Sequence, residues 1–297
     1  MKLCLALLLL MLVSCTHNRG ELGSEDNPIK FFFVPSVDVK VIETTANATK
    51  KYLEANTPYK IKVVIPNSFI AVVEAFGTSR ADIASINTFG YMLAHDRYGA
   101  EAKLTVIRYG ESTYKAEILA RSGGPIRKLE DIDGKKFAYV DPASVSGYML
   151  PLKIFKEKKI KPKETVFAMT HDNVVSMVYQ GQVDAGAAFY SPPEKNLIQD
   201  ARRLIKTQHP DVEERVRIVA LTEPIPNDPI IFRKGMPDEM KKKIVDAMLK
   251  FAATPEGKAA MEPWSSVNGL IPATDKDYDT VRDMMKTLGK SVEEVVK

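Results

Sequence analysis

The densest chemistry in this chain lies in seven consecutive residues, Asp141-Pro142-Ala143-Ser144-Val145-Ser146-Gly147. They follow a β-rich run (136–140) and precede a segment patterned as a helix. A helix start leaves backbone N–H groups unpaired at a positive dipole end, so it attracts anions. Two serines and a glycine at such a place can wrap a tetrahedral oxyanion with hydroxyl and backbone donors. Three further turns share the design, each between a strand and a helix: Val34-Pro35-Ser36, Ile65-Pro66-Asn67-Ser68 and Ile86-Asn87-Thr88. Ser36, Ser68, Asn87, Thr88, Ser144, Val145 through its N–H, Ser146 and Gly147 are therefore candidate ligand contacts. Serine and threonine are also the favoured helix caps everywhere, so any one turn has a plainer reading. Four such turns together point to an oxyanion site.

Other chemistries fail on spacing. The histidines (His17, His95, His171, His209) form no HExxH pair, and Cys4 and Cys15 both fall at the very start, so no zinc site is expected. Gly134-Lys135-Lys136 lacks the upstream glycine and the Ser/Thr of a phosphate-binding P-loop. Ser112-Thr113-Tyr114-Lys115 fits an SxxK pattern, but no SDN or KTG partner follows. No catalytic residue and no cofactor are expected. The net charge is +4 and spread along the chain, with no basic block of the kind that grips nucleic acid.

The elements that must hold these turns alternate. Strands are expected at 29–34, 60–65, 81–86, 103–109, 116–121, 136–140, 185–189, 217–221 and 230–233. Between them, helices are expected from about Val37 (with Val41, Thr45, Ala48 and Tyr52 on one stripe), at 70–76, 89–95, 148–158 and 174–180, the last with Asp172 as a plausible cap. Helices fill the end of the chain: 238–253, 255–261 behind the cap Thr254, and 278–288. This order predicts a mainly parallel sheet with helices on both faces. A composition shift at Ser122-Gly123-Gly124-Pro125 opens a second series. With 297 residues, two lobes fit better than one. The expected division is 28–116 with 228–297 as lobe one and 117–227 as lobe two. Two hinge crossings and an interlobe cleft, the default ligand site, follow.

The order of short motifs resembles the phosphonate/phosphite/phosphate family of ABC-transporter periplasmic substrate-binding proteins. It runs through Phe33-Val34-Pro35-Ser36, Ile65-Pro66-Asn67-Ser68-Phe69, Ala81-Asp82-Ile83-Ala84, the Ser144–Gly147 turn, His171-Asp172-Asn173, Gly181-Gln182-Val183-Asp184-Ala185-Gly186 and Ile225-Pro226-Asn227-Asp228-Pro229. The resemblance implies a two-lobed, type II periplasmic-binding-protein-like α/β fold that captures a small oxyanion or phosphonate and hands it to an ABC permease and ATPase. It also implies ligand roles for Tyr114, His171 and Asp228. Each has a plainer role as well: strand residue, helix cap and turn former. Two family hydroxyls are replaced, by Val145 and by Phe69, and a family acid is replaced by Ser191 or a neighbour. These changes imply a less polar pocket. A carboxylate such as Asp228 beside an anion would accept a proton from it or hold an ammonium group on the ligand. A ligand-sensing receptor and an enzyme on the same fold are the alternatives.

The N-terminus supports export. Lys2 and the apolar stretch 3–13 read as a signal segment, too short to span a bilayer. Leu12-Val13-Ser14-Cys15 resembles a bacterial lipobox, which would remove residues 1–14 and place lipid on Cys15. Residues 15–27 then form a flexible tether. The expectation is an exported monomer, in the periplasm or at the cell surface, held to a membrane through lipid only.

Overall fold

Phe31, Phe32 and Phe33 follow one another on a single strand, and strand alternation sends them into two different cores. Phe31 and Phe33 stack at 4.5 Å, and Trp264 meets Phe33 edge-on at 5.8 Å. Phe32 faces the other way, into a core with Val72, Tyr91, Met92 and Tyr278. Truncating a ring such as Phe31 to alanine would cost about 3–5 kcal/mol. A strand buried on both faces needs helices on both faces, and that requirement builds the first half of the molecule.

The computed structural model describes residues 20–34, 39–264 and 266–288. The expected signal segment, Cys15 and Ser36 lie outside the described residues. The chain begins with β1 (Ile29–Phe33), α1 (Val39–Asn56), β2 (Ile61–Val64), α2 (Phe69–Gly77), β3 (Ile83–Ser85), α3 (Thr88–Tyr98) and β4 (Glu101–Arg108). A second group follows: β5 (Thr113–Arg121), β6 (Lys136–Tyr139), α4 (Leu150–Lys158), β7 (Glu164–Phe167), α5 (His171–Gln180), β8 (Ala185–Tyr190), α6 (Val212–Arg215), β9 (Val216–Leu221) and β10 (Ile225–Pro226). The chain ends with β11 (Pro229–Phe232), α7 (Asp238–Ala253), α8 (Pro255–Met261), β12 (Val267–Pro272) and α9 (Asp279–Leu288).

The strands form two sheets, which is the two-lobed type II α/β architecture expected. One has the order β12-β4-β11-β3-β1-β2; the other is β10-β5-β8-β6-β7, with β9 also paired to β5. The sheets are mixed, and this corrects the expectation of mainly parallel pairing. Only β2-β1-β3 and β7-β6-β8 are parallel runs. β11 returns from the second sheet and inserts between β3 and β4, antiparallel to both. Likewise β5 enters antiparallel to β8. Local βα order cannot reveal such insertions.

One device recurs in both halves. Asp82, just before β3, accepts the Lys30 N–H of β1 at 3.0 Å. Asp184, just before β8, accepts the Lys136 N–H of β6 at 2.8 Å. In each half a buried or half-buried carboxylate pins the start of the central parallel pair. Asp82 also takes the Arg233 Nε at 3.0 Å, which fixes the inserted β11.

Two local expectations shift. The buried stripe of α1 is Ile42, Thr45, Ala46, Thr49 and Leu53; Thr45 lies on it as expected, while Val41, Ala48 and Tyr52 are only partly buried. Its helical period stands but its phase is one residue off, because alternating Thr, Ala and Lys offer little apolar contrast. Thr170 occupies the cap position of α5, and Asp172 falls within its first turn. By contrast, Thr254 caps α8 by accepting the Gly257 N–H at 2.9 Å.

The chain passes between the sheets twice, from Arg108 to Thr113 and from Pro226 to Pro229. The first passage turns on Tyr109 and Gly110, both at positive φ (52° and 79°). Asn227 joins the two passages. Its N–H donates to Ser112 O at 2.9 Å, and its Nδ2 donates to Val106 O at 3.1 Å and Glu111 O at 2.9 Å. Its carbonyl accepts from Thr105 Oγ1 and Tyr278 OH, each at 3.1 Å.

Candidate functional site

A cleft of about 580 Å³ opens between the two sheets beside these passages. The Ser144 turn forms part of its wall, and its local geometry follows from the sequence. The β6 strand ends at Tyr139, and Asp141 folds back so that its Oδ1 accepts the Ala143 N–H at 2.7 Å. The chain then enters a π-helical turn, Val145–Met149, before α4. Ser144 caps that turn, its Oγ accepting the Gly147 N–H at 2.9 Å. The cap uses a lone pair of the hydroxyl and leaves its proton to donate. A helix start supplies no internal partner for its first N–H groups, so those of Val145 and Ser146 face the same task. Gly147 is not a donor to the cleft, because its N–H is spent on Ser144. It is needed for space: a Cβ there would sit 2.4 Å from Val140 Cγ2.

Ser146 meets Tyr114, the second residue of β5. Burial pushes the Tyr114 hydroxyl out of the titrating range, with Asp228 adding to the rise and Arg108 and the Ser146 hydroxyl opposing it. Tyr114 is therefore a neutral donor at any ordinary pH. His171 opens α5 and packs edge-on against Phe189 at 5.0 Å. Burial pushes its imidazole down to about 4, with Asp172 opposing weakly. Its Nδ1 is sealed from solvent and has no partner among the described residues. An oxyanion arriving in the cleft would add to Asp172 in favouring the imidazolium.

Asp228 borders the cleft, paired with Arg108 at 2.7 Å. That pairing gives the carboxylate a role other than those expected for it: it balances a guanidinium, and neither a ligand proton nor a ligand ammonium is needed to explain it. Arg108 closes β4, at the strand end where ligand groups are expected. The strand is legible in the sequence, but a single arginine at its end carries no turn signature like that of the Ser and Thr residues.

The remaining candidates divide. Asn87 and Thr88 border the cleft. Asn87 caps α3, its Oδ1 accepting the Gly90 N–H at 2.7 Å. Thr88 is buried and donates its hydroxyl proton to Pro226 O at 3.0 Å, so it can only accept from a ligand. Ser68 caps α2 through the Ala71 N–H at 3.3 Å, is exposed, and is not among the residues that border the cleft. Phe69 opens α2, and its side chain is outside the described set. Ser191 borders the cleft and is buried. Other wall residues were not singled out from the sequence, among them Phe189, Met169, Arg203 and Leu204. Met169 is 65% exposed and sits at positive φ, 70°, in the turn before α5. No pattern in the sequence marks Arg203, which lies on a 3-10 turn (Ala201–Ile205) after a long loop.

The arrangement is a cradle of neutral donors between two sheets, with the Arg108–Asp228 pair on its border and the Arg203 guanidinium in its wall. A family model described as ABC transporter, phosphonate, periplasmic substrate-binding protein matches residues 31–278. The phosphonates-binding periplasmic protein of Escherichia coli is 26% identical over 71% of this chain; the match spans 62% of that protein's length. The phosphate-import protein PhnD of Mycolicibacterium smegmatis is 26% identical over 86% of this chain and 84% of its own. A solved binding-protein component of an ABC phosphonate transporter from Pseudomonas aeruginosa shares the fold at a TM-score of 0.67, with 20% identity, covering 88% of this chain and 87% of that one. With the family model matching most of its length, the chain belongs to the phosphonate periplasmic substrate-binding proteins of ABC transporters.

Proposed function

We propose that this chain captures a phosphonate or a closely related phosphorus oxyanion in the cleft and presents it to an ABC permease and its ATPase. The observation that carries the reading is the Ser144 turn, with two hydroxyls at a helix start set against Tyr114 in a cleft shared by both sheets. Ser144, Ser146 and Tyr114 donate hydroxyl protons; the N–H groups of Val145 and Ser146 add backbone donors. His171 supplies a further polar contact. Closing the lobes replaces water around the anion with donors already in place, and the tighter binding of the closed form drives the shift. Binding suffices for this role; no bond is made or broken.

The lobes divide at the two passages, 28–116 with 228–297 against 117–227, and Asn227 is the pin between them. Export of the chain with lipid on Cys15 rests on the Leu12-Val13-Ser14-Cys15 signature; action as a monomer belongs to the same reading. Calorimetric titration tests the ligand class, with methylphosphonate, aminoethylphosphonate, phosphite, phosphate and sulfate as the panel. At least one phosphorus ligand binds and sulfate does not, on this reading. Binding of sulfate in preference to every phosphorus compound overturns it, as does the absence of any oxyanion binding.

A further inference from the structure

One cleft residue has no role in holding a single oxyanion. Arg203 borders the cleft, and its guanidinium carbon lies 6.0 Å from the Phe189 ring centre. Its Nε is sealed from solvent without a hydrogen-bond partner among the described residues. Arg108 has Asp228 as counter-ion at 2.7 Å, and the other carboxylate on the cleft, Asp141, is folded onto its own turn at Ala143. Arg203 thus brings to the cleft a positive charge that no carboxylate there is placed to pair.

Its position follows from the sheet. β6 and β8 are parallel neighbours with Ala138 opposite Gly186. Extending that register sets Phe189 level with Asp141, at the mouth of the Ser144 turn. Neighbouring strands lie about 5 Å apart, so Phe189 stands near the oxyanion turn, and Arg203 lies against its ring. The cleft volume, about 580 Å³, falls in the range of pockets that take a small organic ligand, roughly 300–1,000 Å³. Two exposed apolar side chains, Met169 and Leu204, border the same wall. The site therefore has room beyond the turn, apolar surface beside it and an unanswered guanidinium.

We infer that the ligand is a phosphonate bearing a second acidic group on a short carbon link, and that Arg203 receives that second group. This rests on the phosphonate reading above. A guanidinium matches the two oxygens of a carboxylate or phosphoryl group with paired N–H donors, and Phe189 lies beside it, 6.0 Å from ring centre to guanidinium carbon. The Ser144 turn then selects phosphorus while Arg203 selects the second acid.

The test measures affinities of the full chain for methylphosphonate, phosphonoacetate and methylenediphosphonate by calorimetry, in the wild type, Arg203→Leu and Arg203→Lys. The two diacids separate a carboxylate from a phosphoryl group as the preferred partner. Wild type is expected to bind at least one diacid about tenfold to a hundredfold more tightly than methylphosphonate. Arg203→Leu should erase most of that ratio, and Arg203→Lys should restore part of it. A melting curve of each variant checks folding, and the lysine variant keeps the test decisive if the leucine variant unfolds. Equal affinity of wild type for mono- and diacids overturns the inference and leaves the phosphonate reading intact. A diacid preference that survives Arg203→Leu removes Arg203 from it. Failure of all three compounds to bind overturns the phosphonate reading and this inference with it.

Discussion

Gly147→Ala isolates the fit on which the oxyanion turn depends. Gly147 has no positive φ, so alanine brings no backbone strain; its whole effect is steric. The new methyl carbon would lie 2.4 Å from Val140 Cγ2, 2.5 Å from Val140 Cβ and 2.8 Å from Ser144 Oγ. Carbon atoms pack at about 3.5–4.0 Å, so something must move by about an ångström. Val140 cannot yield easily. It is buried, its N–H is bound to Gly147 O at 3.1 Å, and its carbonyl accepts from the Met169 N–H at 2.8 Å. The turn must shift instead, and with it the Ser144 cap. Overpacking costs about 1–3 kcal/mol, and a lost cap adds about 1 kcal/mol. At about 2–4 °C per kcal/mol for a large domain, melting should fall roughly 4–16 °C. Affinity for a phosphonate should fall at least about tenfold, one displaced charge-assisted hydrogen bond being worth that much. Differential scanning calorimetry and titration read both quantities. Val140→Gly, destabilising alone, should make the added alanine nearly neutral, because the two changes share one contact. Unchanged melting and unchanged affinity in Gly147→Ala would refute the reasoning.

Three further outcomes are expected. His171 is held down to about 4 by burial, against about 6.5 in the unfolded chain, so protonation opposes the fold. Its contribution is intact above about 6.5 and is lost as pH falls toward 4, by up to about 3 kcal/mol. His171→Asn should flatten that stretch of the pH–stability curve measured by urea unfolding, and a curve of unchanged slope counts against it. Asn227→Ala removes the buried donors to Val106 O and Glu111 O and should cost about 1–3 kcal/mol in the same assay, the price of orphaned carbonyls at the passages. Asp82→Asn breaks the buried pair with Arg233 and should destabilise by about 2–3 kcal/mol without weakening a phosphonate, since Asp82 holds β1, β3 and β11 and stands apart from the cleft. A loss of affinity with full stability would reverse that assignment.

Much of this was legible where one local signal decides one local structure. Helices α7 and α8 lie at the bounds read from the sequence, because Pro255 and the cap Thr254 break the helical run at a definite place. The Ser144 turn was legible because serine, glycine and an adjoining strand end occur together. The buried phase of α1 was not, because Thr45 and Thr49 bury as readily as the valine and tyrosine beside them. Strand β7 escaped notice because its alternation is mostly solvent-facing, with Glu164 and Thr165 exposed. The insertion of β11 between β3 and β4 is a tertiary event with no local trace. Among cleft residues, Arg108 could have been found by applying the strand-end rule to charged groups as well as hydroxyls. Arg203 could not, because only the packing of a 3-10 turn against Phe189 brings it to the cleft. The net charge of +4 said little about anion capture, since Arg108 is answered locally by Asp228.

The central claim is that the Ser144 turn grips the phosphorus oxyanion. Titration of Ser144→Ala/Ser146→Ala with the tightest phosphonate found for the wild type tests it most directly. Two hydrogen bonds to a charged group are together worth about 3–6 kcal/mol, so affinity should fall at least about a hundredfold. The empty variant should still melt cooperatively, lowered by the lost cap, about 1 kcal/mol, and by the lost Ser146–Tyr114 hydrogen bond, about 1 kcal/mol more. A variant that binds the phosphonate within threefold of wild type would contradict the account.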